Sequence, residues 1–204
     1  MHVRVRVRAA KGRTLATFVL AHGAGAGSTS PWMTRYAKGL AARGLRVVTF
    51  DFPGTRSSME PLEKAYVDVV ERVHARFPNE PLAIGGKSMG GRVASQIVAK
   101  YKLPVARLVL FGYPLHPPGK PEKRRDVHLP DVRQPMLFVS GARDAFGSER
   151  EMQNLAKSLG SELLEIAGGD HSLEVPKRFP ETQAEVDARV WDAAVNFVQS
   201  PRPK

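Results

Sequence analysis

Short apolar runs rich in branched residues recur along most of the chain and predict buried β-strands. Each run is apolar at nearly every position instead of at alternate positions, which indicates that both faces of the strand are covered. Strands of this kind are typical of a parallel sheet that lies between helical layers. The predicted strands cover residues 17–22, 45–52, 81–86, 106–113 and 134–141, with a weaker strand at 162–167.

The segments between these runs carry apolar residues at the spacing of amphipathic helices. Ser30 is a predicted N-cap before a proline, and Gly44 is the predicted C-terminal cap of the same helix. Ser148 and Glu151 have the spacing of a capping box at the beginning of another helix. The predicted helices cover residues 30–44 and 62–77, begin at Met89 and near Ser148, and cover residues 182–199 near the end of the chain.

This alternation of strands and helices predicts the α/β class, with a mostly parallel, doubly wound sheet that has helices on both faces. The stretch HVRVRVRA at the beginning predicts an antiparallel edge strand with its valines inward and its arginines outward. We expect one domain over residues 1–199 and a disordered tail over residues 200–204. The proline-rich connection 113–135 is the longest, and connections of that length are usually functional or mobile.

The composition indicates the cellular compartment in which this domain is expected. The 204 residues include no cysteine, so we expect a reducing compartment and no thiol chemistry. No apolar run reaches the ~18 residues of a membrane span, and the first residues lack the apolar stretch of a signal peptide. We therefore expect a cytoplasmic protein without a membrane partner.

The formal net charge of +11 raises the question of a nucleic-acid partner. However, the basic residues are spread along the chain, and the densest cluster, 119–125, is interrupted by glutamate and proline. The sequence also lacks a homeodomain, zinc-finger or RNA-recognition pattern. We therefore do not expect nucleic-acid binding and interpret the charge as a solvated surface that is compatible with anionic substrates.

The stretch GGKSMGGR surrounds one serine with four glycines. Gly86, Ser88 and Gly90 form a G-x-S-x-G motif between a predicted strand and a predicted helix, which is the context in which this motif holds a nucleophile. A side chain at Gly86 or Gly90 would clash in so sharp a turn, and the turn lifts the hydroxyl to the positive end of a helix. A plain glycine-rich turn is the alternative, but the position between strand and helix favours a nucleophile.

A serine nucleophile needs a base that takes its proton and an acid that orients the base. His171 follows the last short strand, and Asp144 follows the strand that ends at Gly141, so both are expected at the same sheet edge as Ser88. A surface histidine and a turn aspartate are the alternatives for these two residues. The chain order Ser88, Asp144, His171 is the order of a triad in this architecture, and we predict these three residues as catalytic.

The tetrahedral intermediate of acyl transfer also needs backbone donors for its oxyanion. The N–H of Met89, which follows the nucleophile, is one predicted donor, and the N–H of Ala24 in the loop HGAGAGS is the other. His22 in the same loop is interpreted as a residue that holds the loop by hydrogen bonding. His128, in the long connection, is expected to contact substrate or to face solvent.

These residues resemble the α/β-hydrolase superfamily. The stretches LAHGAGAG, GGKSMGGRVAS, LFGYPLHPPGKPEK, LFVSGARDAFG and GGDHSLEV are similar to the small, lidless branch near the dienelactone hydrolases, which also holds testis-expressed α/β-hydrolase-like proteins. The resemblance implies an eight-stranded, mostly parallel sheet, a triad of Ser88, Asp144 and His171, and hydrolysis of an ester or related acyl bond. Dienelactone hydrolases proper use a cysteine nucleophile, which this chain lacks, so their substrate is not expected here.

Many larger α/β-hydrolases carry a cap domain where this chain has only the connection 113–135. We therefore predict no cap domain and a shallow, open site. Tyr113, His116 and Lys120 are predicted to line its entrance, the alternative being that the prolines merely stiffen a surface crossing. Lys87 and Arg92 are predicted to contact an anionic part of the substrate, the alternative being structural pairing with carboxylates.

Two other functions are compatible with parts of the sequence. The loop HGAGAGS and Asp51 imitate a dinucleotide-binding fingerprint, but Ser28 stands where that fingerprint requires glycine or alanine. A non-catalytic binding module with the same fold is the second alternative, because a fold does not establish an activity. The complete set of serine, aspartate and histidine favours a carboxylesterase-like serine hydrolase that acts on a small-molecule acyl substrate without metal or cofactor.

Overall fold

Seven strands form one sheet in the computed structural model, which describes residues 3–54 and 58–201. The strand order is β1-β3-β2-β4-β5-β6-β7; β1 is antiparallel to β3, and every other pairing is parallel. The mostly parallel sheet is thus confirmed, with one strand fewer in the described residues than the resemblance implies. The strands are β1 (Val5–Arg8), β2 (Ala16–Ala21), β3 (Leu45–Phe50), β4 (Leu82–Lys87), β5 (Arg107–Phe111), β6 (Met136–Gly141) and β7 (Glu162–Ile166).

Helices cover both faces of this sheet, as predicted. They are α1 (Pro31–Ala41), α2 (Met59–Arg76), α3 (Met89–Lys100), α4 (Glu149–Leu159) and α5 (Gln183–Gln199). Buried side chains of α2, α3 and α4 form one apolar cluster against the sheet, and those of α1 and α5 form the other. None of the helices in the described part of the chain combines the length and the apolar composition that crossing a bilayer requires.

The edge strand differs from the prediction in one respect. Val3 is buried and Val5 is partly buried, but Val7 is 38% exposed, so the burial of the valines decreases along this edge of the sheet. Arg6, predicted to face outward, is instead held at the sheet. Its Nη1 donates to Ser28 Oγ at 2.6 Å and to Asp51 Oδ2 at 2.7 Å.

The C-terminal end of the domain is attached to the sheet through Arg107 in β5. Its Nη2 donates to the carbonyl oxygens of Ser200 and Pro201, both at 2.7 Å. Residues 202–204 lie outside the described residues, so the predicted disorder of the tail stays a prediction.

The turn between β4 and α3 passes very close to the end of β2. A Cβ atom added at Gly90 would lie 2.5 Å from the carbonyl oxygen of Ala21 and 2.7 Å from that of His22, and one added at Gly86 would also overlap Ala21 O. Real Cβ atoms essentially never approach so closely. The two glycines are therefore required by the contact between backbones, as the sequence predicts.

We expect Gly90→Ala to lower the free energy of unfolding by about 1–3 kcal/mol, because two backbone segments must separate. A decrease in the free energy of unfolding is informative, because alanine normally stabilises a helix relative to glycine. Gly54→Ala is the matched control, because no atom of residues 3–52 or 58–201 lies within 4 Å of a Cβ placed there. Denaturant unfolding of both variants tests this expectation. Equal stability of the two variants would contradict the close approach.

The connection between β5 and β6 lies against the body of the domain and carries no inserted domain. A short 3-10 helix, Leu129–Asp131, contacts α3, and the N–H of Arg125 donates to Leu115 O at 2.9 Å. A hydrogen bond of 2.8 Å joins His128 Nε2 to Ser95 Oγ on α3. The predicted absence of a cap domain is thus confirmed, and His128 packs against the helix.

The environment of His128 opposes protonation of its imidazole. Burial is the main cause and the charge of Arg92 the second; together with the other charges nearby they lower the pKa of His128 to about 4. The charge of Lys100 acts in the same direction, whereas Asp126 and Asp131 act against it.

This lowered pKa predicts a loss of stability in mild acid. The unfolded chain protonates His128 near pH 6.5, so the stabilising contribution is complete above that value and is lost as the pH falls towards about 4. Between about pH 7.5 and about pH 5 we expect the wild type to lose roughly 1 kcal/mol more unfolding free energy than His128→Gln, allowing for the partial exposure of the ring. Denaturant titrations at both values test this, and parallel losses in the two proteins would contradict it.

Candidate active site

Ser88 occupies the sharp turn between β4 and α3, at the carboxyl end of the sheet. Its φ of 51° lies in the left-handed region, which only one other non-glycine residue of the described chain adopts. The Ser88 N–H donates to Phe111 O at 2.8 Å, so the turn is fixed to the neighbouring strand. Left-handed backbone at a serine is costly and is maintained only where the surroundings enforce it. The turn has the form of a nucleophile elbow.

His171 joins the other two predicted triad residues. Its Nε2 lies 2.8 Å from Ser88 Oγ, and its Nδ1 lies 2.8 Å from Asp144 Oδ2. A carboxylate oxygen accepts hydrogen bonds, so Nδ1 carries the proton and the lone pair of Nε2 faces the serine hydroxyl. The three side chains therefore form a chain in which the imidazole can accept the hydroxyl proton while the carboxylate orients it.

A residue that the sequence analysis did not identify supports this chain. The Phe146 N–H donates to Asp144 Oδ1 at 2.8 Å, so both carboxylate oxygens are bonded, and the Asp144 side chain is only 1% exposed. The Phe146 ring also stacks on the His171 ring, with centroids 4.1 Å apart and planes at 27°. An aromatic residue two positions after the predicted acid, in a loop at the sheet edge, was the available signal.

The two predicted oxyanion donors border the same cavity as Ser88. Met89 is the first residue of α3, so its N–H has no acceptor within the helix, and Ala24 lies in the loop after β2. His22 holds this loop as predicted: its Nδ1 donates to Gly23 O at 2.8 Å, and its Nε2 accepts the Phe52 N–H at 3.0 Å. The donor roles themselves stay predictions.

The cavity beside Ser88 has a volume of about 420 Å³ and a mixed lining. Met59, Pro114 and Phe146 supply apolar surface, whereas Arg92 and Arg125 supply positive charge. Because no cap domain is inserted between β5 and β6, the entrance is formed by loops at the sheet edge. The arrangement suits a small ligand that has both an apolar part and an anionic part.

Tyr113, His116 and Lys120 do not border the cavity, contrary to the prediction that they line its entrance. Tyr113 is 1% exposed, packs edge-on against Phe138, and donates its hydroxyl to Arg125 O at 2.7 Å. His116 is also buried, with Nε2 at 3.2 Å from Glu151 Oε2. The Tyr113 and His116 side chains both point into the domain. Their contacts there hold the connection between β5 and β6 against the rest of the domain.

Lys87 lies at the cavity, but its ammonium group is already engaged. Nζ donates to Ser172 Oγ at 2.6 Å and lies 5.4 Å from the centre of the Trp32 ring. Burial lowers the pKa of Lys87. The indole Nε1 of Trp32 donates to Ser172 O at 3.0 Å, so Lys87 and Trp32 together hold the residue that follows His171. Substrate binding by Lys87 stays a prediction.

Asp51, the acidic residue of the imitated dinucleotide-binding fingerprint, is bonded to other parts of the protein. Asp51 accepts the Ser28 N–H at 2.7 Å and the Arg6 guanidinium at 2.7 Å, and both bonds serve the contact between the edge strand and the loop after β2. Asp51 therefore has a structural role in this fold, which accounts for its place at the end of β3 without a ribose hydroxyl.

Comparison with known proteins agrees with this architecture. A family model described as an alpha/beta hydrolase domain matches residues 14–199. The fold is similar to that of Est1E from Butyrivibrio proteoclasticus, with a TM-score of 0.77, 13% identity, and coverage of 96% of this chain and 93% of that one.

Two further solved structures share the fold. A serine hydrolase without a lid from Xanthomonas campestris has a TM-score of 0.73 and 18% identity, with coverage of 96% of this chain and 87% of that one. A dienelactone hydrolase from Anabaena variabilis has a TM-score of 0.73 and 20% identity, with coverage of 95% and 89%. With the family match over most of its length, the chain belongs to the alpha/beta hydrolase family.

Proposed function

We propose that the protein is a serine hydrolase that cleaves a small ester or a related acyl bond, with Ser88 as nucleophile. The observation that carries this proposal is the position of His171, whose two ring nitrogens each lie 2.8 Å from a partner, Ser88 Oγ on one side and Asp144 Oδ2 on the other. This geometry matches the roles of nucleophile, base and orienting acid before any substrate is bound.

In the proposed acylation step, Ser88 Oγ attacks the acyl carbon while its proton passes to His171 Nε2. The carbonyl oxygen gains negative charge, which the N–H groups of Met89 and Ala24 stabilise. The bond to the leaving group then breaks, and His171 donates the proton to the departing oxygen. The acyl group is now an ester of Ser88, and the imidazole is neutral again.

In the proposed deacylation step, His171 takes a proton from a water molecule, whose oxygen attacks the acyl carbon. The bond to Ser88 Oγ breaks, and the proton returns to the serine. The products are a free acid and a free alcohol, and the sum of the two steps is hydrolysis. Asp144 accepts the hydrogen bond from Nδ1 throughout and stabilises the imidazolium that forms in each step.

The size of the cavity supports a small-molecule substrate. The cavity volume of about 420 Å³ lies near the lower end of the range for ligand pockets. Within the described residues, no further domain covers the cavity. Among proteins of similar fold, Est1E was solved with ferulic acid bound, and another neighbour is an esterase domain from Rhodothermus marinus. An ester is accordingly the first substrate class to test, which makes the proposed enzyme carboxylesterase-like.

Labelling by a fluorophosphonate probe, followed by peptide mapping, tests the proposed nucleophile. We expect phosphonylation at Ser88, no labelling of Ser88→Ala, and a rate about 10²–10⁴-fold lower in His171→Ala, because the hydroxyl then has no base. The rate of hydrolysis of a short para-nitrophenyl ester should be highest in the wild type, lower in His171→Ala and lowest in Ser88→Ala.

Two variants serve as matched controls for this labelling experiment. Ser158→Ala removes an exposed hydroxyl on α4, and His74→Ala removes an imidazole on α2. Both should keep the labelling rate of the wild type. A folded wild-type protein that is labelled at another residue, or not at all, would contradict the proposal and leave a non-catalytic binding module as the better interpretation.

A further inference from the structure

Two arginines border the cavity next to Ser88 and come from different elements. Arg92 lies in the first turn of α3, and its N–H donates to Ser88 O at 3.1 Å, so it is one helical turn from the predicted nucleophile. Arg125 lies in the connection between β5 and β6. Its backbone is fixed by the Tyr113 hydroxyl at its carbonyl and by Leu115 O at its N–H.

Neither guanidinium has a carboxylate partner in the described part of the chain. Within residues 3–54 and 58–201, no acidic oxygen lies within 4.0 Å of Arg92 or Arg125, and neither side chain donates a hydrogen bond. The neighbouring Arg124 differs, since it pairs with Asp126 at 2.5 Å and lies 3.6 Å from Glu151.

The Nε atom of Arg92 is inaccessible to solvent and has no acceptor among the described residues. A buried donor of a charged group without an acceptor is costly, and such groups are rare in native proteins. The Nη atoms of Arg92 are not buried in this way, so they are the donors that a ligand in the cavity can reach. The positive charge of Arg92 therefore borders the cavity without a carboxylate partner among the described residues.

The two positive charges also act on each other. The pKa of Arg125 is lowered, mainly by burial and secondly by the charge of Arg92. Asp126, which follows Arg125 in the chain, pairs with Arg124, and Asp144 in the predicted triad is bonded to His171 and Phe146. Like charges that share a partly desolvated site favour binding of an anion between them.

We propose that Arg92 and Arg125 form an anion-binding subsite, so that the substrate is an acyl ester that carries a carboxylate or a phosphate on the part of the molecule next to the scissile bond. This inference rests on the proposed function of Ser88. Guanidinium groups suit such a ligand because their planar donors bind two oxygens of a carboxylate or phosphate at once. The apolar side chains of Met59, Pro114 and Phe146 then contact the linker between the anion and the ester.

Matched substrates test this subsite on the unmodified protein. Para-acetoxybenzoate and para-acetoxyphenyl phosphate carry the anion on the alcohol part, and methyl para-acetoxybenzoate is their neutral control. Para-nitrophenyl hydrogen glutarate carries it on the acyl part, and its methyl ester is the neutral control. We expect kcat/KM to favour the charged member of at least one pair by about tenfold or more, since hydrogen bonds to charged groups discriminate on this scale. The preferred ester shows which anion is bound and whether it lies on the alcohol part or the acyl part of the substrate.

Arginine variants connect that preference to the subsite. In Arg92→Gln and in Arg125→Gln, the ratio of kcat/KM for the charged ester to that for the neutral ester should fall about tenfold towards one. Arg133→Gln is the matched control, because it removes the same charge from an exposed residue before β6, at the opposite edge of the sheet. It should keep the ratio of the wild type.

A binding measurement separates failure of this inference from failure of the proposed function. Calorimetry on Ser88→Ala, which cannot turn over, should detect the charged ester that the wild type prefers and give at least about tenfold weaker affinity when Arg92→Gln is added. Ser88 labelling together with equal kcat/KM for the charged and neutral members of every pair would overturn the subsite and leave the hydrolase intact. Binding to Ser88→Ala that is unaffected by Arg92→Gln would also overturn it.

Discussion

The crossing of three backbone segments at the turn between β4 and α3 is the constraint on which the rest of the site depends. Ser88 has a positive φ, which costs a non-glycine residue on the order of 1–3 kcal/mol, so the surroundings must enforce it. They do so through the bond from its N–H to Phe111 O and through the close passage of Gly86 and Gly90 beside the end of β2. The position of the hydroxyl is therefore set by the sheet.

The other two predicted triad residues depend on similar approaches at the ends of neighbouring strands. Gly112, with a φ of 55°, follows β5 and leaves room for the backbone of His171, since a Cβ there would lie 2.6 Å from His171 O. Asp144 is fixed by the bond from its N–H to Gly141 O at the end of β6. Loops that belong to separate strands thus converge because parallel strands end at one edge of the sheet.

The order of apolar runs was sufficient to predict the parallel sheet and the helices on both faces. The G-x-S-x-G motif and the positions of Asp144 and His171 after their strands then predicted that these two side chains meet Ser88. The reason is that these features follow from local patterns and from the direction of the strands. The sequence was less informative about the connection between β5 and β6, where Tyr113 and His116 were predicted to line the entrance. A proline-rich segment has no periodicity that tells inward from outward, and both side chains are buried.

Phe146 and Arg125 are residues at the site that the sequence analysis did not identify. Phe146 N–H bonds to Asp144 and its ring stacks on His171, and Arg125 reaches the cavity from a loop that is distant in sequence from Ser88. Phe146 lies in the quoted stretch LFVSGARDAFG, but the stretch does not show what its ring or its N–H contacts, and Arg125 belongs to none of the quoted stretches. Only the tertiary arrangement reveals these contacts. Arg92 was noticed because it is adjacent to the glycine cluster, but its lack of a carboxylate partner among the described residues is a property of packing.

The absence of an inserted cap between β5 and β6 has a consequence for the fate of a covalent intermediate. An acyl group on Ser88 would face bulk solvent, in which water at roughly its full concentration outcompetes a second alcohol or amine that is present in trace amounts. Closing an active site against water protects a reactive intermediate from hydrolysis. In the proposed mechanism, an uncovered Ser88 therefore favours transfer of the acyl group to water, and the open rim gives the free acid a direct path to solvent.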